Sequence, residues 1–137
     1  MATVNVYLSF NGDCEEAFNF YKSVFGGEFS YVGKYKDMPL PDRELTDAEK
    51  EKIMHVGLTI SAETMLLGCD MLEEFVPGNN FSICVTPESE DEGRKIFDAL
   101  SEGGNIIMPL EKTFWNSLFG MVSDKFGICW MVDYALA

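Results

Sequence analysis

The stretch TFWNSLFGMVSDKFGICWMVD, Thr113–Asp133, decides the fold of this chain. It contains both tryptophans, Trp115 and Trp130, together with three phenylalanines. Its middle, Asp124–Gly127, predicts a turn between two strands, because Asp tolerates turn geometry and Gly readily adopts positive φ. The segment that follows this turn is apolar and ends the fold. So much aromatic surface needs a partner sheet to pack on or a cavity to line.

Working outward to the N-terminus, we predict a first module over about residues 1–72. Apolar and polar side chains alternate along residues 4–10, as they do in a strand with two different faces. Three more strands are predicted at 28–35, 53–60 and 65–70. Residues 36–52 contain two prolines and many charges, which disfavour a central strand. We interpret them as a surface loop at a pocket mouth, with a short helical turn near Thr46.

A second module is predicted over about residues 80–137, after a connector at 73–79. It begins with another alternating strand, residues 80–85. A further strand at 105–108 is predicted to stop at Pro109, because proline has no N–H to donate to a ladder.

Each module contains one predicted helix that ends at a pair of glycines, Gly26-Gly27 and Gly103-Gly104. Asp13 and Glu16 have the spacing of a capping box at the start of the first helix. The second helix is predicted to start at Thr86-Pro87, because proline suits an early helical position. The predicted buried stripes are Ala17, Phe20, Tyr21 and Val24 in the first helix, and Ile96, Phe97 and Leu100 in the second.

The two modules form an internal repeat with a shift of 77 residues, as between Gly26 and Gly103 or Phe20 and Phe97. Within the helices a shift of 76 fits slightly better. Each half has the order βαβββ. Because half a barrel cannot bury its concave face alone, the two modules are predicted to pair. The alternative is a pair of unrelated βα units.

Composition limits the partners of the chain. Its 137 residues suit one domain, and a hydrophobic content of 47% is enough for a core. The net charge of −13 repels phosphate backbones and anionic lipid, so we expect neither nucleic-acid nor membrane binding. No apolar run approaches the roughly 20 residues of a membrane span. The N-terminus lacks the basic region of a signal peptide.

The four cysteines, Cys14, Cys69, Cys84 and Cys129, are scattered and form no C-x-x-C pair. This spacing argues against a zinc site and favours a reducing compartment. We therefore expect a cytoplasmic protein in which the cysteines are small buried hydrophobic residues.

Three segments carry a family resemblance: EEAFNFYKSVFGGEF, KIMHVGLTI and, above all, TFWNSLFGMVSDKFGICWMV. They resemble the PhnB-like branch of the vicinal oxygen chelate superfamily, which has the glyoxalase/bleomycin-resistance/dioxygenase fold. Members of this branch often carry the label demethylubiquinone methyltransferase-like. The resemblance implies an α+β fold in which two βαβββ modules form a cupped mixed sheet, and it implies a homodimer. A methyltransferase activity has no support, because no glycine-rich loop follows a strand to hold a nucleoside cofactor.

Enzymes of this superfamily typically hold a divalent metal in the cup, with ligands from the first and last strand of each module. The resemblance places those positions at Asn5, near Asp70, at Asn80 and at Met131. One carboxylate, two amides and a thioether make a poor metal site, and a single histidine excludes a triad with two histidines. We therefore expect no metal and no cofactor. Asp70 alternatively serves as a turn residue at the end of its strand.

His55 is the candidate catalytic residue. It alternates with Val56, so it is predicted to point into the cup, and histidine titrates near neutrality when unperturbed. The alternative is a hydrogen-bonded structural histidine. No G-x-S-x-G motif and no activated cysteine is recognisable in the sequence.

The remaining candidates are predicted ligand-binding residues around an apolar cavity with a few polar groups. They are Asn5, Tyr7, Asp70, Asn80, Ser82, Trp115, Phe119 and Met131. Two functions follow: binding of an unidentified small molecule without a metal, or a metal-dependent lyase, isomerase or dioxygenase with an atypical ligand set. A dimerisation module with a filled cup is a third possibility.

Overall fold

The predicted βαβββ order occurs twice in the structure, a computed structural model that describes residues 2–37 and 43–136. The first copy comprises β1 (Val6–Phe10), α1 (Cys14–Phe25), β2 (Glu28–Lys34), α2 (Asp47–Lys50), β3 (Ile53–Thr59) and β4 (Met65–Asp70). The second comprises β5 (Ile83–Val85), α3 (Glu90–Ser101), β6 (Asn105–Lys112), β7 (Ser117–Ser123) and β8 (Cys129–Ala135). Over the described residues, no helix combines the length and apolar character needed to cross a bilayer.

The chain divides into two compact units, Met1–Val76 and Pro77–Ala137, each built on one four-stranded mixed sheet. The strand order is β1-β4-β3-β2 in the first unit and β5-β8-β7-β6 in the second. In both sheets the first pair is parallel and the other pairs are antiparallel. The predicted α+β class and the order of elements are therefore confirmed.

The repeat is regular up to the second strand and then shortens. Helix α3 begins 76 residues after α1 (90 minus 14), and β6 begins 77 after β2 (105 minus 28). Strand β7, however, begins only 64 residues after β3 (117 minus 53). The long connection from β2 to β3, which includes the capped helix α2, is reduced to a hairpin between β6 and β7. Residues 38–42 of the predicted loop lie outside the described residues.

Helix α1 buries a different stripe from the predicted one. Its buried residues are Cys14, Ala17, Phe18 and Tyr21, whereas Phe20 and Val24 are half-buried. The predicted capping box is also wrong, because the described structure shows no capping hydrogen bond from the Asp13 side chain. The start of this helix is held instead by a carboxylate from β4.

Two further predictions in the second unit are wrong. Helix α3 starts at Glu90, with the Ser89 hydroxyl accepting the Glu92 N–H at 3.1 Å, so Pro87 precedes the helix. Pro109 does not end its strand, since β6 runs from Asn105 to Lys112. The register is irregular between Met108 and Glu111, and β6 is an edge strand, where a missing N–H is tolerated.

The predicted turn after β7 is confirmed. Gly127 has φ of 87° and donates its N–H to the Asp124 carbonyl at 2.9 Å. The Asp124 carboxylate accepts the N–H groups of Phe126 and Ile128 and the indole N–H of Trp130. This aspartate therefore joins the turn to the buried tryptophan of β8.

Candidate ligand-binding face

The first sheet turns one face to α1 and the other away from it. Leu8, Val56 and Leu66 are buried on the side of α1. Because successive side chains in a strand point to opposite faces, Tyr7 and His55 lie on the face turned away from α1. We call this face the far face of the first sheet, and we call Tyr7, Tyr31, His55 and Cys69 the His55 cluster.

His55 lies between two tyrosine rings. The Tyr7 hydroxyl is 3.2 Å from His55 Nδ1, and the ring centroids of these residues are 5.7 Å apart. The Tyr31 ring centroid lies 5.8 Å from that of His55 on the other side. The imidazole is half-buried, and Tyr7 and Tyr31 are 49% and 48% exposed. The far face therefore presents an aromatic surface that solvent reaches.

A glycine makes the position of Tyr31 possible. Gly33 pairs with His55, and a Cβ added to it would lie 2.5 Å from the Tyr31 hydroxyl and 2.7 Å from its ring. With a larger residue at this position the Tyr31 side chain would have to shift. Gly33 thus leaves room for the Tyr31 ring on one side of the cluster.

The Tyr7 hydroxyl keeps its proton at neutral pH. Burial raises the pKa of Tyr7 well above its usual range, and the neighbouring Cys69 thiol raises it further through a hydrogen bond. The protonated hydroxyl can therefore hydrogen-bond to the Nδ1 atom of His55, which lies 3.2 Å away. Within the described residues Nε2 has no protein partner, and it is not enclosed. This nitrogen can form a hydrogen bond with a molecule on the far face.

Asp70, unlike the other candidates, is buried and hydrogen-bonded to the backbone. It is 1% exposed, and its Oδ1 accepts the N–H groups of Gly12 at 2.8 Å and Cys14 at 3.0 Å. Its Oδ2 accepts the N–H of Ile53 at 2.9 Å. The carboxylate thus caps α1 and ties it to the start of β3, so it does not reach the far face. The structure favours a structural role at the strand end.

The second-unit candidates lie on or beside the corresponding face of the second sheet, turned away from α3, which we call its far face. Met131 alternates with the buried Trp130 and Val132, and Phe119 pairs with Asp133. Trp115 is 52% exposed and contacts Phe119, with ring centroids 6.0 Å apart. Asn80 and Ser82 lie just before β5, outside the strand. The first-unit candidate Asn5 lies just before β1, also outside the strand.

The divalent metal that the resemblance implies does not fit the residues at the expected positions. The Asp70 carboxylate is already occupied by three backbone donors, and the other positions offer two amides and a thioether. Over residues 2–37 and 43–136, no three His, Cys, Asp or Glu side chains converge to hold a metal ion. We derive no chemistry through such an ion.

A small cleft opens on the opposite side of the first sheet. Phe18, Phe29, Val32, Ile53 and Val56 line it between α1 and the sheet, together with Glu15 and Asn19. Its volume is about 160 Å³, below the roughly 300–1,000 Å³ of typical ligand pockets. We therefore do not assign the binding site to this cleft.

Sequence reasoning missed two members of the His55 cluster. Cys69 could have been found from the alternation of β4, because Gly68 pairs with Val56 and the next residue lies beside His55. Tyr31 could not, since the register of β2 shifts between Phe29 and Tyr31. A bulge of this kind changes which side chains share a face.

Comparison with known proteins gives a consistent family. A family model described as 3-demethylubiquinone-9 3-methyltransferase matches residues 2–133. Protein YjdN of Escherichia coli is 28% identical over 134 residues, which cover 93% of this chain and 91% of that protein.

Solved structures agree with this match. The crystal structure of PA1353 from Pseudomonas aeruginosa has a TM-score of 0.89 at 35% identity and covers both chains completely. The PhnB protein of Bacillus cereus has a TM-score of 0.78 at 28% identity, covering 98% of this chain and 100% of that one.

A more distant structure supports the fold alone. It is a glyoxalase/bleomycin resistance protein/dioxygenase family enzyme from Burkholderia phytofirmans, with a TM-score of 0.64 at 14% identity. The match covers 96% of this chain and 97% of that one.

Proposed function

We propose that this chain, which belongs to the PhnB-like family described as 3-demethylubiquinone-9 3-methyltransferase, binds a small molecule on the far face of its first sheet. The observation that carries this proposal is His55, held between Tyr7 and Tyr31 on a surface that solvent reaches. A few polar groups on an aromatic surface are typical of small-molecule sites. His55 orients the ligand.

The chemistry of the cluster selects a class of ligand. Two tyrosine rings and the imidazole offer flat apolar surface, and His55 Nε2 offers one hydrogen bond to a polar group of the ligand. The net charge of −13 disfavours anions. We therefore expect a neutral, planar molecule that carries a carbonyl or hydroxyl oxygen.

Methyl transfer is not part of this proposal. A transferase of that kind needs a nucleoside cofactor, usually held by a glycine-rich loop between a strand and a helix. The connection from β1 to α1 contains one glycine, Gly12, and Asp70 accepts its N–H. The proposed activity is therefore binding of a small molecule without a metal and without methyl transfer.

Replacing His55 with alanine is expected to weaken binding of benzamide or phenol about three- to tenfold, the value of one hydrogen bond. The melting temperature is expected to change by less than about 2 °C, because the substitution is on a solvent-accessible face. Saturation-transfer NMR and thermal unfolding measure the two effects, with benzoate as the anionic comparison.

Val32→Ala is the matched control, because Val32 lies on β2 but lines the small cleft beside α1. It should leave benzamide and phenol binding unchanged. Binding lost in Val32→Ala but kept in His55→Ala would place the site in the cleft, and unfolding of His55→Ala would make His55 structural.

We also propose that the chain forms a homodimer, as the family resemblance implies. Edge strand β6 supports this, since Ile106 and Ile107 are 49% and 51% exposed there. Exposed apolar edges are normally covered. Light scattering at micromolar concentrations is expected to give twice the 15.4 kDa mass of the chain. Ile107→Lys should shift the mass toward the monomer, and a wild-type monomer would contradict the proposal.

A further inference from the structure

The second sheet carries a row of sulfur-containing residues, one from each strand, and those in β5, β7 and β8 lie on its far face. The strand register pairs Cys84 with Met131, Met131 with Met121, and Met121 with Met108. We call these four residues the sulfur row. None of them belongs to the His55 cluster.

The register brings neighbouring sulfur atoms within reach of one another. Neighbouring strands in a sheet lie about 4.7–4.9 Å apart, so paired residues of the row are side by side. Methionine adds three rotatable bonds, so adjacent thioethers can turn toward a common point. Cys84 is exposed, Met108 is 46% exposed, and Met121 and Met131 are half-buried. An ion in solution can therefore reach the row.

We propose that the sulfur row binds a soft monovalent cation, Cu(I) or Ag(I), through Cys84 and the adjacent thioethers of Met131 and Met121. Thiolate and thioether are the protein ligands that select Cu(I) over divalent metals. On binding, the Cys84 S–H bond breaks, its proton passes to water, and the Sγ lone pair forms the bond to the cation. The methionines contribute neutral lone pairs and lose no proton.

Carboxylates on the neighbouring row favour a cation at this place. Phe119 pairs with Asp133 on one side and Glu111 on the other, so both carboxylates lie one row along the sheet from the sulfur row. Burial and then the nearby Asp133 carboxylate raise the pKa of the Cys84 thiol, so this thiol gives up its proton when the cation binds. The local negative charge adds to the net charge of −13 and raises the concentration of cations near the sheet.

This site differs from the divalent-metal site that the family resemblance implies. That site calls for oxygen or nitrogen ligands drawn from both modules, whereas the sulfur row lies within one sheet. Met131 is common to both. Among the described residues no three His, Cys, Asp or Glu side chains converge, so methionine thioethers must supply most of the ligands of this site.

The test is a titration of the reduced, intact protein with Ag(I), followed by NMR of ¹³C-methyl-labelled methionine. The methyl signals of Met121 and Met131 are expected to move, and the signals of Met54, Met65 and Met71 in the first unit are expected to stay. Competition with bicinchoninate then gives the affinity for Cu(I). Methyl signals of Met121 and Met131 that do not respond to Ag(I) would overturn the proposal.

Met121→Leu removes one sulfur and nearly preserves the side-chain volume. It is expected to lower the Cu(I) affinity at least about tenfold, and Cys84→Ser more strongly, since the thiolate is the anionic ligand. Met65→Leu is the matched control and should bind as the wild type does.

Wild-type affinity in Met121→Leu would mean that another thiol, such as Cys69 or Cys129, takes the ion, and the proposal would then be wrong. Met131→Leu provides the same comparison if Met121→Leu does not fold.

Discussion

Replacing Asp70 with alanine is expected to lower the free energy of unfolding by about 3–5 kcal/mol, because it leaves buried backbone donors without an acceptor. The carboxylate is 1% exposed and accepts three N–H groups, from Gly12, Cys14 and Ile53. It joins the start of α1 to the start of β3, so its removal breaks the hydrogen bonds that connect the helix to the sheet at this point. Urea unfolding followed by circular dichroism measures the change.

Asp13→Ala is the control for this prediction. Asp13 is the residue before α1, but its side chain makes no capping hydrogen bond in the described structure. Its removal should therefore cost no more than about 1 kcal/mol, the value of a charge near a helix N-terminus. Equal losses in Asp13→Ala and Asp70→Ala would show that the helix end depends on charge alone.

Asp70→Asn separates geometry from charge. The amide keeps one oxygen acceptor but turns an NH₂ group toward the other backbone donor. A substantial part of the loss is expected to remain, since a donor then faces a donor. An asparagine variant as stable as the wild type would contradict the account of Asp70 as an acceptor for three N–H groups.

Replacing Asp124 with alanine is expected to destabilise the protein by about 2–4 kcal/mol, since a buried indole N–H and a turn lose their acceptor. Asp124 is 4% exposed and accepts the Trp130 Nε1–H at 2.9 Å with one oxygen. The other oxygen accepts the N–H groups of Phe126 and Ile128. Urea unfolding measures this effect as well.

A double-mutant cycle with Trp130→Phe isolates the indole contact. Phenylalanine keeps an aromatic ring in the core but has no N–H, so it removes the need for the acceptor. The coupling energy between the two positions is expected to be about 1–2 kcal/mol, within the range for residues in contact. Additive effects of the two substitutions would contradict the contribution assigned to this hydrogen bond.

The strand and helix order could be predicted from the sequence because its signals are local. Alternation in β1 and β3 identified these strands, and Asp124–Gly127 identified the turn through residues that themselves adopt its geometry. Met65–Asp70 was predicted with the bounds that β4 has in the structure. Thr86-Pro87 was wrong as a helix start because the local cap is Ser89, whose hydroxyl accepts the Glu92 N–H. Pro109 did not end β6, because the pairing of the sheet makes β6 an edge strand.

The candidate site could be predicted only in part, because alternation along one strand does not show how that strand pairs with its neighbours. Alternation along β1 and β3 is enough to predict that Tyr7 and His55 both point away from the helix. It could not show that Tyr31 approaches His55, because a bulge in β2 changes its register. Nor could it show that Asp70 is enclosed, since its hydrogen-bond donors come from residues 12, 14 and 53.

By itself, the sequence determined the repeat, the two amphipathic helices and which side of each regular strand faces its helix. These follow from periods of two and 3.6 residues, which a chain carries whether or not it is folded. The tertiary structure decided how the strands are paired, and therefore which side chains meet across them. The His55 cluster and the sulfur row both depend on that register, because their members are distant in sequence and become neighbours only through the hydrogen bonds of the sheets.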